Sequence, residues 1–267
     1  AQIYEEKLNE PEKAIEALRS VYELDSNDLE AIQGLDRLYE VLQKWQDLAD
    51  ILHTEIDIAE DDDARLNSYY RLGAVQEMYL ENYEEAVNCY NEMHLIVPGQ
   101  PEAIESLIRI FSAGHCCAAI AEILEAHYRG TEAWEELVAL DLQYIDHIEE
   151  ADDRYDKYIE IAEVLLNELN QIPEGLEIYG RALKERPGDD VCLNKIDELS
   201  EAIQDWTNNV VYYKNAIDNC QDDVIKQDLT LRMAQTYDMH LNDAENAEKC
   251  YLGVLGYDAE HLVSLEA

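Results

Sequence analysis

The sequence predicts an all-α fold, an α-solenoid of antiparallel helix pairs, and three observations lead there. Turn-forming residues are scarce, with 10 Gly and 5 Pro among 267 residues, fewer than the hairpins of a strand-rich chain require. Apolar residues recur at helical spacing rather than in alternation. The chain also repeats itself over a long period, as stacked arrays of small helical units do.

The repeat is visible residue by residue. Ala1, Gln2, Ile3 and Tyr4 are echoed by Ala234, Gln235, Thr236 and Tyr237, and ten residues after each Tyr comes an Ala, Ala14 and Ala247. Segments beginning at Gly73 and Ala162 fit the same frame, so units start near 1, 73, 162 and 234, at steps of 72, 89 and 72. The tryptophans give an independent ruler: Trp45, Trp134 and Trp206 stand at the same long and then short step. A short step and a long step together make a super-repeat with a period of 161, and the chain holds about one and two-thirds of it. The excess of the long step over the short one falls within 111–132. Residues 1–267 are expected to form a single solenoid.

Each unit then resolves into helices. Ala14, Leu18, Val21 and Leu24 mark one face of a first helix, and Ala86, Tyr90, Met93 and Val97 mark its equivalent. Pro98-Gly99 and Pro187-Gly188 stop the helices before them. Asp28, Asp61, Asp152 and Asp222 stand just before apolar-periodic stretches, where a carboxylate can accept from unpaired N–H groups of a helix's first turn. The pattern predicts about thirteen helices joined by short acidic turns.

These residues resemble the tetratricopeptide repeat family, over nearly the whole chain and most closely its long bacterial arrays. Leu72 and Gly73, followed by Ala86, Tyr90 and Pro98, match the family pattern, with Met93 in place of its second Ala. A further copy reads Ala162, Gly175, Tyr179, Ala182 and Pro187, and another Ala234, Ala247 and Tyr251 without the Pro. The resemblance implies a right-handed superhelix with a concave face, and a non-enzymatic scaffold acting through protein–protein contact. It also directs attention to the concave positions of each first helix, here Asn67, Tyr70, Arg71, Glu77, Glu163 and Gln235. Few of these suit the capture of an acidic tail.

Charge narrows the partners. Asp and Glu total 61 against 19 Lys and Arg, a formal net charge of −42. Nucleic acid and anionic lipid both need clustered cations, so neither is expected, whereas a basic or apolar protein segment suits this field. No apolar run approaches a membrane span. No catalytic fingerprint is present, and the expectation is no enzyme.

The six cysteines contain no C-x-x-C pair, and four of them (Cys89, Cys192, Cys220 and Cys250) occupy repeat positions otherwise filled by small or apolar residues. They are expected to be buried thiols. His115, Cys116 and Cys117 lie in the insertion and are read as a loop or a helix end. Three acidic turns, Asp61-Asp62-Asp63, Asp152-Asp153 and Asp222-Asp223, could hold calcium weakly through oxygen ligands, although helix capping explains the same residues. No other cofactor is expected. Finally, the chain opens on Ile3, Tyr4 and Leu8 and closes on Leu262 and Leu265 without polar capping helices. Such ends are expected to stack head to tail into a fibre or tube of copies of the chain. Compartment is open, with the cell envelope or exterior favoured by the acidic surface and the absent initial Met.

Overall fold

The computed structural model describes residues 10–257, 261, 264 and 265. Among these there are fourteen α-helices and no strand. They are α1 Pro11–Leu24, α2 Leu29–Val41, α3 Trp45–Ile58, α4 Asp62–Met78, α5 Tyr83–Ile96, α6 Pro101–Ser112 and α7 Cys117–Gly130. There follow α8 Trp134–Tyr144, α9 Ala151–Asn167, α10 Ile172–Glu185, α11 Asp190–Ile203, α12 Thr207–Asn219, α13 Asp223–Gln235 and α14 Ala244–Tyr257. A 3-10 turn Ile145–His147 follows α8, and a π-turn Thr236–His240 follows α13. The chain divides into two compact units, Ala1–His127 and Tyr128–Ala267. Within each, most successive helices pack on one another, α4 on α5 and α9 on α10 most extensively, as in a solenoid of helix hairpins.

The turns explain why helices fall where they do. Gln43, Glu132 and Gln204 have φ of 55°, 56° and 55°, and Glu81, Asn170 and Asn242 have φ of 52°, 51° and 51°. Both sets share the spacing of the tryptophans, a long step and then a short one. One left-handed residue ends a helix, and the next helix begins two residues later, at Trp45, Tyr83 and Trp134. Gly99 and Gly188, with φ of 77° and 86°, do the same after Pro98 and Pro187. Asp28, Asp61 and Asp222 accept from Ala31, Ala64 and Val224 N–H at 2.8 Å each, as helix caps should. Asp152 does not. Helix α9 starts two residues earlier than the capping pattern implies, so Asp152 lies inside its first turn and binds Arg186 at 2.8 Å instead.

The core of the first unit gathers Ile32, Leu35, Leu48, Leu52, Leu72 and Cys89, and that of the second gathers Ile161, Leu176, Leu183, Leu193, Ile196 and Tyr213. Each fully buried Leu or Ile contributes about 1.5–3 kcal/mol relative to exposure. Helices approach closely where one offers a small residue: Ala86, Ala103, Ala162 and Ala182 are wholly buried, and Gly73 lies against the ring of Tyr90. The predicted first-helix face is only half right. Ala14 is buried beside Ile15, but Val21 and Leu24 are exposed, Leu24 at 91%. They sit in the last turn of α1, where Leu29 across the turn is exposed too, so this corner gains no apolar cover among the described residues.

The extra length of the long step is a helix. Its equivalents show it: α6 matches α2 and α8 matches α3, leaving α7 without a counterpart in the first copy. This additional helix accounts for a described count above the thirteen expected. His115-Cys116-Cys117 is its beginning: Cys116 is left-handed with φ of 51°, Cys117 opens α7, and the imidazole of His115 stacks on Tyr83 at 3.7 Å. All six cysteines are free thiols, with Cys89, Cys117, Cys192 and Cys220 buried and Cys250 and Cys116 partly so. Burial pushes the thiols of Cys89 and Cys192 up to about 12.

Candidate functional site

The second unit holds a groove of about 390 Å³ between α11, α12 and α13, walled by Asp197, Trp206, Asp228, Arg232, Met239 and His240. Its geometry follows from local sequence. The left-handed Gln204 ends α11 and places Trp206 at the N-cap of α12. Helix α13 carries Asp228 and Arg232 one turn apart, and the π-turn that ends it brings round Met239 and His240. The Trp206 and His240 rings stack face to face at 3.6 Å, and Met239 stands 66% exposed beside them.

Charge in the groove is organised around Asp197. It accepts from the buried Tyr213 hydroxyl, from Asn209 at 3.3 Å and from Arg232 at 3.3 Å. Burial, and the hydrogen bond to Asp197, push the Tyr213 phenol far above its usual range. Arg232 also reaches Asp228 at 3.3 Å. One cation thus faces two carboxylates, which leaves the groove negative. Gln235, singled out from sequence, lines the same groove, whereas Glu163 is exposed on α9 and belongs to no described groove.

In the first unit, Asn67 and Tyr70 line a groove of about 500 Å³ with Asp63, Met93 and Gln100. Arg71 and Glu77 are committed elsewhere. Arg71 makes a bidentate bond to Asp36 at 2.7 and 2.9 Å and a third to Glu40 at 3.0 Å, with Glu55 at 3.9 Å. The Glu55 carboxyl is held above its usual range by burial and by Asp36, against the pull of Arg71 and Ser68. Glu77 accepts two bonds from Arg109 at 2.7 Å and one from the Tyr90 hydroxyl at 3.0 Å. Burial raises its carboxyl, but these donors outweigh it and hold Glu77 below the carboxylate range. Both residues therefore fasten helices to each other. Sequence reasoning missed this role because the charged partners that bind them most closely, Asp36 and Arg109, lie more than thirty residues away.

The acidic turns are engaged within the fold, mostly by residues close in sequence. Asp61 and Asp222 cap their helices, Asp62 pairs with Arg65 at 3.0 Å, Asp223 with Lys226 at 3.5 Å and Asp152 with Arg186. Asp63 and Asp153 are exposed in the first turns of α4 and α9. Of the residues named for end-to-end stacking, Ile3, Tyr4, Leu8 and Leu262 lie outside the described residues, and Leu265 is exposed. Among the described residues no helix is long and apolar enough to cross a membrane. The aromatic station around Trp206 was not read from sequence as a site. Its signal was there, since Met78 and Tyr79 follow Trp45 at the same distance as Met239 and His240 follow Trp206.

The tetratricopeptide repeat family profile matches residues 1–28. No curated protein matches the chain in sequence. Solved structures similar to it include YrrB, a tetratricopeptide repeat protein with an unusual peptide-binding site, at 13% identity over 82% of this chain and 97% of that one, with a TM-score of 0.28. The TPR2AB domain of yeast Sti1 in its pHSP90 complex is 14% identical over 95% and 94%, with a TM-score of 0.34. PilF of Pseudomonas aeruginosa is 14% identical over 95% and 97%, with a TM-score of 0.29. These scores are low, and the family match covers only the start of the chain. The chain thus carries a match to the tetratricopeptide repeat family over residues 1–28, and the described residues form an array of helix pairs, a helical-repeat fold.

Proposed function

We infer that this protein is a non-catalytic interaction module that takes a basic protein segment bearing apolar side chains into the groove at Trp206. One observation carries the reading: an exposed Met and an aromatic pair stand beside a net negative charge, in a chain with −42 overall. Met and ring edges give adaptable apolar contact, and the acidic field favours approach of a cation. The ionisable groups of the groove are held by one another, as suits a rigid surface better than a reaction centre. Titration with a short peptide alternating lysine and leucine is expected to show saturable binding that weakens with salt. Its glutamate–leucine counterpart is expected not to bind. Trp206→Ala should weaken the lysine peptide at this groove about tenfold. Equal binding of both peptides would sink the reading.

A second reading, head-to-tail self-assembly, draws support from Leu252 and Leu265, exposed near a groove of about 390 Å³ at Tyr251. Light scattering at micromolar concentration should then reveal large particles that grow with salt, and a single species of about 31 kDa would remove it.

A further inference from the structure

The side chains gathered at Trp206 recur in the first unit. Moving back by one full super-repeat, Asp197, Trp206, Arg232, Met239 and His240 become Asp36, Trp45, Arg71, Met78 and Tyr79. Four positions are identical, and the fifth is a ring that stacks on the tryptophan in both units. The Trp45 and Tyr79 rings stack at 3.7 Å and 10° apart, against 3.6 Å and 14° for Trp206 and His240. Arg71 binds Asp36 across thirty-five residues of chain, as Arg232 binds Asp197. Met78 and Tyr79 are 58% and 52% exposed. The turns agree as well, Gln43 and Gln204 sharing φ of 55°. Trp134, at the intermediate position, has no such station, because Glu168 stands where the stacking ring would be.

Core packing alone does not require this agreement. A Trp can be covered by any apolar neighbour, and a half-exposed Met contributes little to stability. What recurs is a partly exposed combination: an aromatic pair, a flexible exposed thioether beside it, and an arginine outnumbered by carboxylates. At the first station Arg71 is surrounded by Asp36, Glu40 and Glu55, so the local charge is more negative than around Arg232.

We propose that Trp45, Met78 and Tyr79 form a second binding station for the same class of partner, so that one chain takes two basic, apolar-bearing segments, one per unit. The proposal rests on the reading given for the groove at Trp206, and it commits to a basic segment because both stations are negative within an acidic chain. Two independent stations suit a partner carrying tandem basic segments, which would gain avidity from engaging both.

Calorimetric titration of the full chain with the lysine–leucine peptide tests it. Two equivalents are expected. Met78→Lys and Met239→Lys change exposed side chains and should leave helicity, followed by circular dichroism, intact. Each should remove one equivalent through charge repulsion, and together they should remove both. Binding of one equivalent, lost in Met239→Lys and untouched in Met78→Lys, would overturn the second station while leaving the reading of the groove at Trp206 standing. No binding at all would end both. If Met78→Lys instead abolishes a concentration-dependent dimer seen by sedimentation, the station is a contact between copies and the proposal fails.

Discussion

Replacing Gly73 with alanine is expected to destabilise the first unit by about 2 kcal/mol, the cost of overfilling a packed site less the gain in helix propensity. A Cβ at Gly73 would stand 2.7 Å from one carbon of the Tyr90 ring and 2.9 Å from the next. The ring cannot retreat easily, since Tyr90 is fully buried and its hydroxyl is tied to Glu77, itself gripped by Arg109. Overpacking costs about 1–3 kcal/mol, and the pinned ring places this site at the upper end. The gain in helix propensity on losing Gly returns about 1 kcal/mol. The equivalent pair in the second unit is Ala162 with Tyr179. There Leu166, which cannot accept a hydrogen bond, occupies the place of Glu77, so the ring is not pinned in the same way. Urea unfolding of Gly73→Ala measures the loss. In a Tyr90→Leu background the same change should cost far less, because coupled neighbours are non-additive. Unchanged stability in the single variant would show that the helices part without penalty.

Arg71→Met is expected to cost about 2–3 kcal/mol near neutral pH, and the size of the loss should depend on pH. Removing one partner of a buried ion pair typically costs about 3–5 kcal/mol, and Arg71 is only partly enclosed. What remains is Asp36, Glu40 and Glu55 facing one another without a cation. Glu55 already titrates above its usual value through burial and the charge of Asp36, and loss of Arg71 raises it further. A carboxyl with a folded pKa above its unfolded one penalises the folded state when ionised, and the penalty disappears as pH falls through the folded value. The deficit of Arg71→Met should therefore shrink on acidification, whereas lost side-chain packing alone would give a constant deficit. Paired melts of wild type and variant across mildly acid to neutral pH distinguish the two. A deficit that stays flat would show that Arg71 acts through its methylene stem.

The fold was largely legible because helical periodicity and repeat spacing are local or self-referential signals. Leu72, Gly73, Ala86 and Tyr90 are recognisable from their spacing, and the structure buries all four. Capping was legible at Asp61 and Asp222 for the same reason, each needing only the two or three residues that follow. The site was less legible. Asn67, Tyr70 and Gln235 lie in grooves, but Arg71 and Glu77 are drawn into ion pairs with Asp36 and Arg109, and no spacing rule states which acid an arginine will choose in a chain holding 61 of them. Exposure is the other hidden quantity. Val21 and Leu24 follow the apolar period yet remain outside, since burial depends on whether a neighbour crosses there and not on the helix alone.

The left-handed turns set how such a chain can change length. A helix advances about 100° per residue, so one residue inserted inside α5 or α8 would swing the apolar positions beyond it away from their partners. Lengthening is tolerated only in parcels that restore the phase. Helix α7 is such a parcel: it has its own left-handed lead-in at Cys116, and the next left-handed residue, Glu132, returns the chain to register at Trp134. Growth and loss in this architecture are thus easiest by whole helices, and single-residue insertions inside a helix are the changes it is least able to absorb.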